Sequence, residues 1–562
     1  MVFYDFEVFK NDWLVVLINP DKRTEDVIVN DAKALTKYYE ENKSEIWTGY
    51  NSNRYDQYIL KGILCGFNPK KINDYMIVKG EPGWKFSSLF KDIPLLSYDV
   101  MLSTYSLKQL EGFMGNAIKE TSIPFDIDRK LTEAEIEETV KYCKSDVYNT
   151  MEVFMRTVNE FNAVLNLITT FNLPINYISK TKAQLSAIIL GCQRKEWNDE
   201  FDIEIVPTLK IGKYTAVLDW FKVYNDYSAS FNCDIAGVSH TFGIGGVHGA
   251  RENYHTKGLI IHVDVNSYYP SLMITYNLLT RNCANPEKYK DIYDTRLALK
   301  KAGKKKEQAP YKIVLNGTYG ICKDKMSSAY DPRQANNVCI NGQLLLIDLI
   351  DKLEAIDGFE LIQSNTDGLI VKIPDTDKAF NQLDDVCYEW EKRTGMGLGF
   401  DCIDEIWQKD VNNYIFRDID GELERKGGYV KELNDLDNNL PIVNKAIVDY
   451  LTQNIPIERT INSCIDLKQF QMICKITSKY KCLIHNGKQL SERCVRVFAS
   501  KQNDGGLYKL HQNKTKPDKF PSTPINCFLV NDDVSGVIVP PKLDRQFYID
   551  MAKERVSGYG KG

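Results

Sequence analysis

The stretch LIQSNTDGLIV, residues 361–371, places the polar tetrapeptide Asn365–Gly368 between two apolar runs. Asn, Asp and Gly dominate tight turns, so the pattern predicts a β-hairpin with the carboxylate of Asp367 at its tip. Taken alone, the stretch favours an ordinary turn. The alternative is that Asp367 forms half of a metal site, which requires a second acidic side chain elsewhere in the sequence.

Length and charge bound the class of protein. The 562 residues are too many for one hydrophobic core and indicate about three or four domains. A hydrophobic content of 43% with 26% charged residues is typical of a globular protein and excludes a disordered one. The net charge of -5 excludes a strongly basic chain, so any nucleic acid would have to bind to local cationic patches and metal ions.

The cysteines and the apolar runs indicate the cellular compartment of the protein. The 14 cysteines form no C-x-x-C pair and there are only 6 histidines, which argues against a structural zinc site. Scattered unpaired cysteines suit a reducing compartment, so we expect the cytoplasm, or the host-cell cytoplasm for a viral protein. No run is apolar enough for a membrane span and the first residues do not form a signal peptide, so we expect no membrane partner and no leader.

Near the N-terminus, acidic residues occur in three separate stretches. Asp5 and Glu7 in YDFEV lie two apart on a predicted strand, so both face the same side. The plain interpretation of this pair is an exposed strand edge. Asp56 in NSNRYD, and Tyr142 with Asp146 one helical turn apart in YCKSD, favour a shared pocket instead. Four converging carboxylates would bind two divalent metal ions, as phosphodiester chemistry requires.

A second group of polar residues is predicted farther along the chain. LIIHVDV, residues 259–265, is typical of a buried strand and carries Asp264 near its end. The plain alternative for this stretch is an ordinary strand-to-helix turn. In YKIVLNGTYG, residues 311–320, a helix would place Lys312, Asn316 and Tyr319 on one stripe. Such a stripe suits a triphosphate, a sugar and a base better than it suits a core.

The three N-terminal stretches resemble a known set of motifs. D-x-E, N-x-x-x-Y-D and Y-x-x-x-D, in this order, are similar to the three proofreading exonuclease motifs of family B DNA polymerases. The resemblance implies that Tyr142 orients the attacking water and that four catalytic carboxylates bind metal, namely Asp5, Glu7, Asp56 and Asp146. YSLKQL, residues 105–110, resembles the family's single-strand-binding motif. The DNA-binding residues implied for this half are Asn51, Ser106 and Leu107.

Three later stretches resemble the polymerase motifs of the same family. HVDVNSYYPS, YKIVLNGTYG and SNTDG are similar to its first, second and third motif. The resemblance implies a catalytic metal site formed by Asp264, Asp367 and the backbone carbonyl of Val265. It also implies that Tyr269 lies under the incoming sugar and selects deoxynucleotides. The implied dNTP-binding residues, which include an R-x-x-x-K pair, are Arg296, Lys300, Lys312, Asn316, Tyr269 and Tyr319.

Shorter matches concern the template and the primer. FGIGGVHG resembles the family's Y-x-G-G linker, and Gly245 and Gly246 match the glycines that touch the template. VNNYIF resembles the K-x-Y motif, which implies that Tyr414 holds the primer end. KGG resembles a nearby lysine-glycine element, which implies that Lys426 and Gly427 contact the primer strand.

Several positions depart from the family pattern, among them Gly317, a small-for-small replacement of the serine of the second motif. Asn365 replaces the first aspartate of the third motif, and we expect this change to be tolerated because Asp264 and Asp367 supply the two metal-binding carboxylates. Asn412 stands where the K-x-Y motif has lysine, which puts that primer contact in doubt. The aromatic residue of the linker is either Phe242 or absent.

The resemblance also implies a fold. We expect an α/β and α+β multidomain protein, in which an RNase H-like 3′–5′ exonuclease domain precedes a right-hand polymerase with palm, fingers and thumb. The predicted boundaries are 1–185 for the exonuclease domain, 186–285 for the linker and first palm segment, 286–322 for the fingers, 323–430 for the second palm segment and 431–562 for the thumb.

The implied function is template-directed DNA synthesis with proofreading by a 3′–5′ exonuclease. The short gaps between the polymerase motifs suggest the compact bacteriophage type. The implied cofactor is Mg²⁺, two ions per active site, with Mn²⁺ as a substitute. The implied partners are primer–template DNA, single-stranded DNA and dNTPs, bound by a monomer, with accessory replication proteins that the sequence does not identify.

Two other functions stay open at this point. One is a 3′–5′ exonuclease with a degenerate polymerase half, which the changes at Asn365 and Asn412 would support. The other is a non-catalytic single-strand-binding protein. Six carboxylates of buried type would make the second alternative costly without a metal ion.

Overall fold

The protein folds into two compact units. The computed structural model describes residues 1–101 and 105–560. The first unit comprises Met1–Lys180, Leu433–Val443 and Glu458–Asp550, and the second comprises Thr181–Glu432, Asn444–Ile457 and Met551–Gly562. In the described ranges, no helix is both long and apolar enough to cross a membrane.

The N-terminal part of the first unit is a sheet flanked by helices. Its strands are β1 (Val2–Val8), β2 (Trp13–Asn19), β3 (Thr24–Val29), β4 (Ile46–Gly49) and β5 (Leu96–Asp99). Its helices are α1 (Ala32–Asn42), α2 (Asp56–Leu64), α3 (Pro69–Asn73), α4 (Leu107–Met114), α5 (Glu133–Arg156) and α6 (Val158–Thr170). The strands follow the order β3-β2-β1-β4-β5, with β1–β2–β3 antiparallel and β1–β4–β5 parallel. This arrangement is that of the predicted RNase H-like fold.

The apolar pattern explains why β1 and β2 lie at the centre of this sheet. All seven residues of β2 are buried, as is typical of a strand covered on both faces. One face packs on a cluster around Trp47, which is fully buried, and on the opposite face Phe3 makes an edge-to-face contact with Phe154 of α5. The carboxylates of β1 therefore project from a rigid, buried strand.

The second unit is built on a larger sheet. Its strands are β6 (Phe231–Ile235), β7 (Val238–Phe242), β8 (His248–Ala250), β9 (Tyr254–Val265), β10 (Glu360–Ser364), β11 (Gly368–Lys372), β12 (Leu398–Asp410), β13 (Asn413–Asp418) and β14 (Leu423–Lys426). Its helices up to residue 432 are α7 (Lys182–Ile189), α8 (Thr215–Lys222), α9 (Tyr268–Thr275), α10 (Pro286–Lys301), α11 (Lys305–Lys323), α12 (Pro332–Leu353) and α13 (Asp377–Thr394). The strand order is β14-β13-β12-β9-β11-β10-β8-β7-β6.

The predicted hairpin at 361–371 lies in the middle of this sheet. β10 and β11 pair in antiparallel fashion, and β11 also pairs with β9, the predicted buried strand. The chain turns into α9 at Ser267, whose backbone has a positive φ of 51°. The predicted β-hairpin and the predicted buried strand are therefore both present.

Two details of the second unit lie outside the motifs. α10 and α11 form a helix pair, and Pro310 lies inside α11, which begins at Lys305. The proline lacks an N–H group and leaves the carbonyl of Lys306 without its helical donor. The polar segment 230–250 folds as three strands, because its buried and exposed residues alternate, as in VSHTF.

The C-terminal residues continue with short elements. The helices are α14 (Pro441–Gln453), α15 (Ile457–Ser463) and α16 (Arg545–Val556), and the strands are β15 (Met472–Lys475), β16 (Tyr480–His485), β17 (Lys488–Gln489), β18 (Cys494–Ala499), β19 (Leu507–His511), β20 (Asp518–Lys519) and β21 (Cys527–Leu529). Five 3-10 turns and one π-turn occur in the described residues, at Asp74–Val78 (π), Gly83–Lys85, Ser88–Asp92, Ile175–Ser179, Leu467–Phe470 and Ser557–Tyr559.

One buried arginine ties this segment to the N-terminal part of the first unit. Arg496 on β18 is fully buried and donates to the backbone carbonyls of Gly112 and Asn116 next to α4, at 3.1 and 2.7 Å. Ile118 adds a backbone bond to Asn531 at 2.7 Å. The mixed α/β multidomain fold class is confirmed. The bounds of the five predicted segments stay predictions.

Candidate active sites

The strand pairing of the second unit fixes two carboxylates side by side. Gly368 lies opposite Asp264 in the antiparallel pair of β11 and β9. The amide of Val265 donates to the carbonyl oxygen of Asp367 at 2.8 Å. Asp264 and Asp367 both line a cavity of about 350 Å³, together with Val265. The hairpin tip therefore brings Asp367 to the end of the strand that carries Asp264.

The side chain of Asn365 builds the turn that holds Asp367. Its Oδ1 accepts hydrogen bonds from the amides of Asp367 at 3.3 Å and Gly368 at 3.2 Å. Its own amide donates to the carbonyl of Gly368 at 3.0 Å. The replacement of aspartate by asparagine thus retains a side-chain oxygen that caps the turn.

A glycine of the predicted linker supports the same turn. Gly246 has a φ of 109°, and a Cβ atom there would lie 2.7 Å from Oγ1 of Thr366. Gly245 is exposed and has no neighbour within 4 Å of its ideal Cβ position. Phe242 is fully buried in β7, so the linker lacks an exposed aromatic residue at the matching position. The close approach at Gly246 explains why this position requires glycine.

The predicted cationic residues line the same cavity. Arg296 and Lys300 reach it from α10, and Lys312 and Asn316 reach it from α11. Arg296 is buried, and it donates to Oγ of Ser267 at 2.7 Å and to Oε1 of Gln308 at 3.2 Å. Because these partners are neutral, the guanidinium keeps its full charge for an anionic ligand.

Two tyrosines form one wall beside the cavity. Tyr269 of α9 lines the cavity, and its ring lies 4.5 Å from the ring of Tyr319 between centroids. Burial raises the pKa of both phenols well above the ordinary value. The two rings therefore stay neutral, and they pack at an interplanar angle of 55°.

The electrostatics of the cavity favour a bound cation. Burial and the carboxylate of Asp367 raise the pKa of Asp264 to about 6, although His262 and Lys300 oppose the shift. Two carboxylates and the backbone of Val265 offer only oxygen donors, which are the ligands that Mg²⁺ prefers. The residues present fit a divalent metal ion.

The predicted primer-contacting residues lie on the neighbouring strands. Tyr414 on β13 is 6% exposed and packs in an apolar cluster with Ile260 and Phe416. Burial raises the pKa of Tyr414 to about 12, so its phenol is protonated. Asn412 is exposed in the β12–β13 turn, where its amide donates to Asp410 at 2.9 Å.

The lysine-glycine element follows β14. Lys426 is exposed and lies 3.4 Å from Glu424. Gly427 has a φ of 101°, and a Cβ atom there would lie 2.7 Å from the carbonyl oxygen of Asn412. Glycine is therefore required for the packing of this loop on the β12–β13 turn.

In the first unit, four acidic residues converge on β1. Asp5 and Glu7 project from β1, and Asp56 at the start of α2 accepts a hydrogen bond from the amide of Phe6 at 3.2 Å. Asp146 comes from α5. Oxygen atoms of Asp5 and Glu7 and the sulfur of Cys143 lie within 4.8 Å of one another.

Burial and mutual repulsion perturb these carboxylates strongly. Burial, with the charges of Asp56, Glu7 and Asp146, raises the pKa of Asp5 well above its ordinary value. Burial also raises the pKa of Asp56 to about 7. Raised pKa values in a cluster of buried carboxylates indicate that its negative charge is incompletely compensated, so hard divalent cations fit the donor set. The thiol of Cys143 donates to the backbone oxygen of Asp5 at 3.3 Å. Burial raises the pKa of Cys143, so this residue stays a protonated thiol beside the carboxylates.

Sequence reasoning missed a buried lysine at this cluster. Lys108 of α4 donates to Asp146 at 2.5 Å and to Glu111 at 3.0 Å. Its ammonium group also lies 4.6 Å from the ring centroid of Tyr142. Glu111 is fully buried, and burial raises its pKa to about 8. The only signal in the sequence is the Lys-x-x-Glu spacing on a helix, which exposed ion pairs share.

Tyr142 lies at the edge of the cluster. Burial and the carboxylates of Asp146, Glu7 and Asp5 raise the pKa of its phenol far above the ordinary value. The hydroxyl group therefore stays protonated and is able to donate a hydrogen bond beside the carboxylates.

The predicted DNA-binding residues of this unit lie just after β4 and at the start of α4. Asn51 has a φ of 61°, and its amide donates to Asp99 at 2.8 Å, a carboxylate that the sequence did not indicate. Ser106 is the N-cap of α4, where its amide donates to Gln109 at 3.2 Å, and Leu107 is the half-buried first residue of that helix.

Comparisons with known proteins find two curated relatives and a similar solved structure. No family model matches this sequence. The chain is 23% identical over 287 residues to DNA polymerase 1 of Sulfurisphaera ohwakuensis, which covers 43% of this chain and 31% of that protein. It is 24% identical over 236 residues to DNA polymerase 1 of Saccharolobus solfataricus, which covers 41% of this chain and 24% of that protein. Each match thus spans less than a third of the relative's length.

Among solved structures, the family B DNA polymerase of the hyperthermophilic archaeon Pyrobaculum calidifontis matches 99% of this chain and 77% of that chain, with a TM-score of 0.44 and 13% identity. The compact bacteriophage type stays a prediction. The two curated relatives, both named DNA polymerase 1, confirm the predicted resemblance to DNA polymerases.

Proposed function

We propose that this chain is a DNA-directed DNA polymerase that extends a primer with deoxynucleoside triphosphates on a template. The observation that carries the proposal is one cavity of about 350 Å³ lined by both motif carboxylates, by Arg296, Lys300 and Lys312, and by a tyrosine. A degenerate polymerase half would have no reason to retain this combination. The relatives named DNA polymerase 1 support the same activity.

The cationic side chains account for triphosphate binding. Arg296, Lys300 and Lys312 place three positive charges around the cavity. Charge-assisted hydrogen bonds to phosphate oxygens are about twice as strong as neutral ones. Arg296 is held by Ser267 and Gln308, so little side-chain entropy is lost when it binds the phosphates.

Asp264, Asp367 and the backbone carbonyl of Val265 would hold Mg²⁺, or Mn²⁺ in its place, in the same cavity. When bound, the divalent ions stabilise the negative charge that develops on the reacting phosphate. The protein's own contribution is to hold both carboxylates rigidly, through the paired strands and the Asn365 turn. The ring of Tyr269, which lines the cavity and packs against Tyr319, would exclude a 2′-hydroxyl group and thereby select deoxynucleotides.

A second activity of the same chain is 3′–5′ exonuclease proofreading. The carboxylates that converge on β1 support it, because their raised pKa values require divalent cations for full ionisation. Tyr142 would donate a hydrogen bond that orients the attacking water. Single-stranded DNA would reach this pocket over Asn51, Ser106 and Leu107.

These two activities imply contacts with primer–template DNA and a role in replication. Primer–template DNA would contact Gly245, Tyr414, Lys426 and Gly427 on the large sheet and its adjacent loops. We propose a monomer that works in the cytoplasm and replicates a phage genome in an infected cell.

The test is a primer-extension assay with a labelled primer–template, dNTPs and Mg²⁺. The wild type is expected to extend the primer to the end of the template. Lys312→Met should raise the KM for dNTP at least about tenfold, since it removes one charge–phosphate contact. Lys306→Met is the matched control, because Lys306 is exposed in the first turn of α11 and does not line the cavity. An inactive wild type, or equal effects of the two changes, would contradict the proposal.

A further inference from the structure

Two cysteines of the second unit face each other across a short backbone pairing. Cys192 follows α7 and Cys283 precedes α10, and the two residues form an isolated antiparallel bridge. The amide of Gln193 donates to the carbonyl of Asn282 at 2.9 Å, which fixes the register. The two thiols lie within hydrogen-bonding distance of each other.

This geometry suits a disulfide bond. Residues directly opposite in an antiparallel pair have Cα atoms about 4.5–5.5 Å apart. Disulfides span Cα separations of about 4.4–6.8 Å, so the bond would need little backbone movement.

The two thiols differ in exposure and in acidity. Cys192 is partly exposed, so a small oxidant can reach it, whereas Cys283 is buried. The hydrogen bond from Cys192 lowers the pKa of Cys283 to about 7, and the same bond raises the pKa of Cys192 well above its ordinary value. Cys322, the third cysteine nearby, is buried, and burial raises the pKa of its thiol. An accessible thiol thus lies beside a thiol that ionises readily.

We propose that Cys192 and Cys283 are a modification site, where a low-molecular-weight disulfide oxidises the pair to a reversible intramolecular disulfide. Cys283 first loses its proton to water, and its thiolate takes the proton of Cys192 as the sulfur of Cys192 attacks the oxidant, whose S–S bond breaks and releases one thiolate. Cys283 then loses this second proton to water. The thiolate of Cys283 then attacks the sulfur of Cys192, and the mixed disulfide breaks and releases the second thiolate. The two released thiolates take up the two protons that the cysteines lost, so one oxidant disulfide is exchanged for one protein disulfide.

The bond would link two elements next to the candidate polymerase cavity. Cys283 lies just before α10, which carries Arg296 and Lys300, and α7 packs against α11, which carries Lys312. The crosslink would tie the end of α7 to the start of α10 and close a long loop, so the oxidised chain should unfold at a higher temperature. This inference does not depend on the proposed function.

The test uses the full reduced chain and oxidised glutathione at a pH above the pKa of Cys283. Intact mass spectrometry should show the loss of two hydrogens, and a non-reducing peptide map should show one crosslink between Cys192 and Cys283. Dithiothreitol should reverse both signals, and the melting temperature should rise only in the oxidised form.

Cys192→Ser and Cys283→Ser should each abolish the crosslink. Cys402→Ser is the matched control, because Cys402 is another partly exposed cysteine, and it should leave the crosslink unchanged. A crosslink to a different cysteine, a mixed disulfide with glutathione that persists on Cys192, or no reaction of the pair would each overturn the proposal.

Discussion

The backbone amide of Val265 donates a 2.8 Å hydrogen bond to the carbonyl oxygen of Asp367. This bond joins the end of β9 to the tip of the β10–β11 hairpin, next to the paired residues Asp264 and Gly368. The separation of the two carboxylates is thus set by the sheet and not by flexible loops. Precise placement of metal ligands and reacting groups is what phosphoryl transfer requires.

The Asn365 turn should be needed for extension. In Asn365→Ala the amides of Asp367 and Gly368 lose their acceptor. Since such hydrogen bonds contribute about 0.5–1.5 kcal/mol each, we expect extension to fall about tenfold. Asn365→Asp restores an acceptor oxygen and should extend nearly as well as the wild type. The measurement is the single-turnover extension rate, and equal losses in both variants would contradict a role in the turn.

The short distance between Gly246 and Thr366 leads to a second prediction. Gly246→Ala should displace the hairpin tip, because the new Cβ would lie 2.7 Å from Oγ1 of Thr366. The backbone strain at this φ costs about 1–3 kcal/mol in addition. We expect slower extension with unchanged exonuclease activity. Gly245→Ala is the matched control, since its Cβ meets nothing within 4 Å, and it should retain extension.

Lys108 should be needed for degradation but not for extension. Lys108→Met leaves the buried carboxylates of Asp146 and Glu111 without their cation. We expect the degradation rate of single-stranded DNA to fall by about 10²–10³-fold. Lys144→Met is the control, because Lys144 lies on α5 and pairs with the partly exposed Glu25. If Lys108→Met degrades DNA like the control, the lysine has only a structural role.

The acidic cluster on β1 predicts that stability depends on pH and on Mg²⁺. The folded-state pKa of Asp56 is about 7, above its ordinary value of 3.8, so the unfolded chain releases this proton first. Without metal, the free energy of unfolding should therefore decrease as the pH rises between these two values. Mg²⁺ should raise the melting temperature more above pH 7 than below it. Asp56→Asn should reduce this pH dependence, and a metal-free wild type that gains stability over the same range would refute the assignment.

The local motifs predicted several residues that line one cavity, because each motif is one strand, turn or helix face. Asp264 at a strand end, Asp367 at a hairpin tip and the Lys312–Asn316 stripe all depend on short-range periodicity. Their convergence follows from the pairing of β9 with β11, which no single motif contains.

Other features depend on contacts between distant residues and could not be predicted. Lys108 is buried only because α4 packs beside α5, so its role is invisible in the sequence. The burial of Tyr414 depends likewise on apolar residues from several strands. The strands at 231–250 give only a weak signal in the sequence, because their alternation is short and their exposed residues are polar.

The central claim is that one chain carries two separate catalytic centres, one at Asp264 and Asp367 and one on β1. The most direct test follows a labelled primer–template with Mg²⁺, with and without dNTPs, for the wild type, Asp367→Ala and Asp5→Ala. Loss of a metal ligand should slow the affected reaction at least about 100-fold. Asp367→Ala should lose extension and keep degradation, and Asp5→Ala should lose degradation and keep extension. Normal extension by Asp367→Ala would contradict the account.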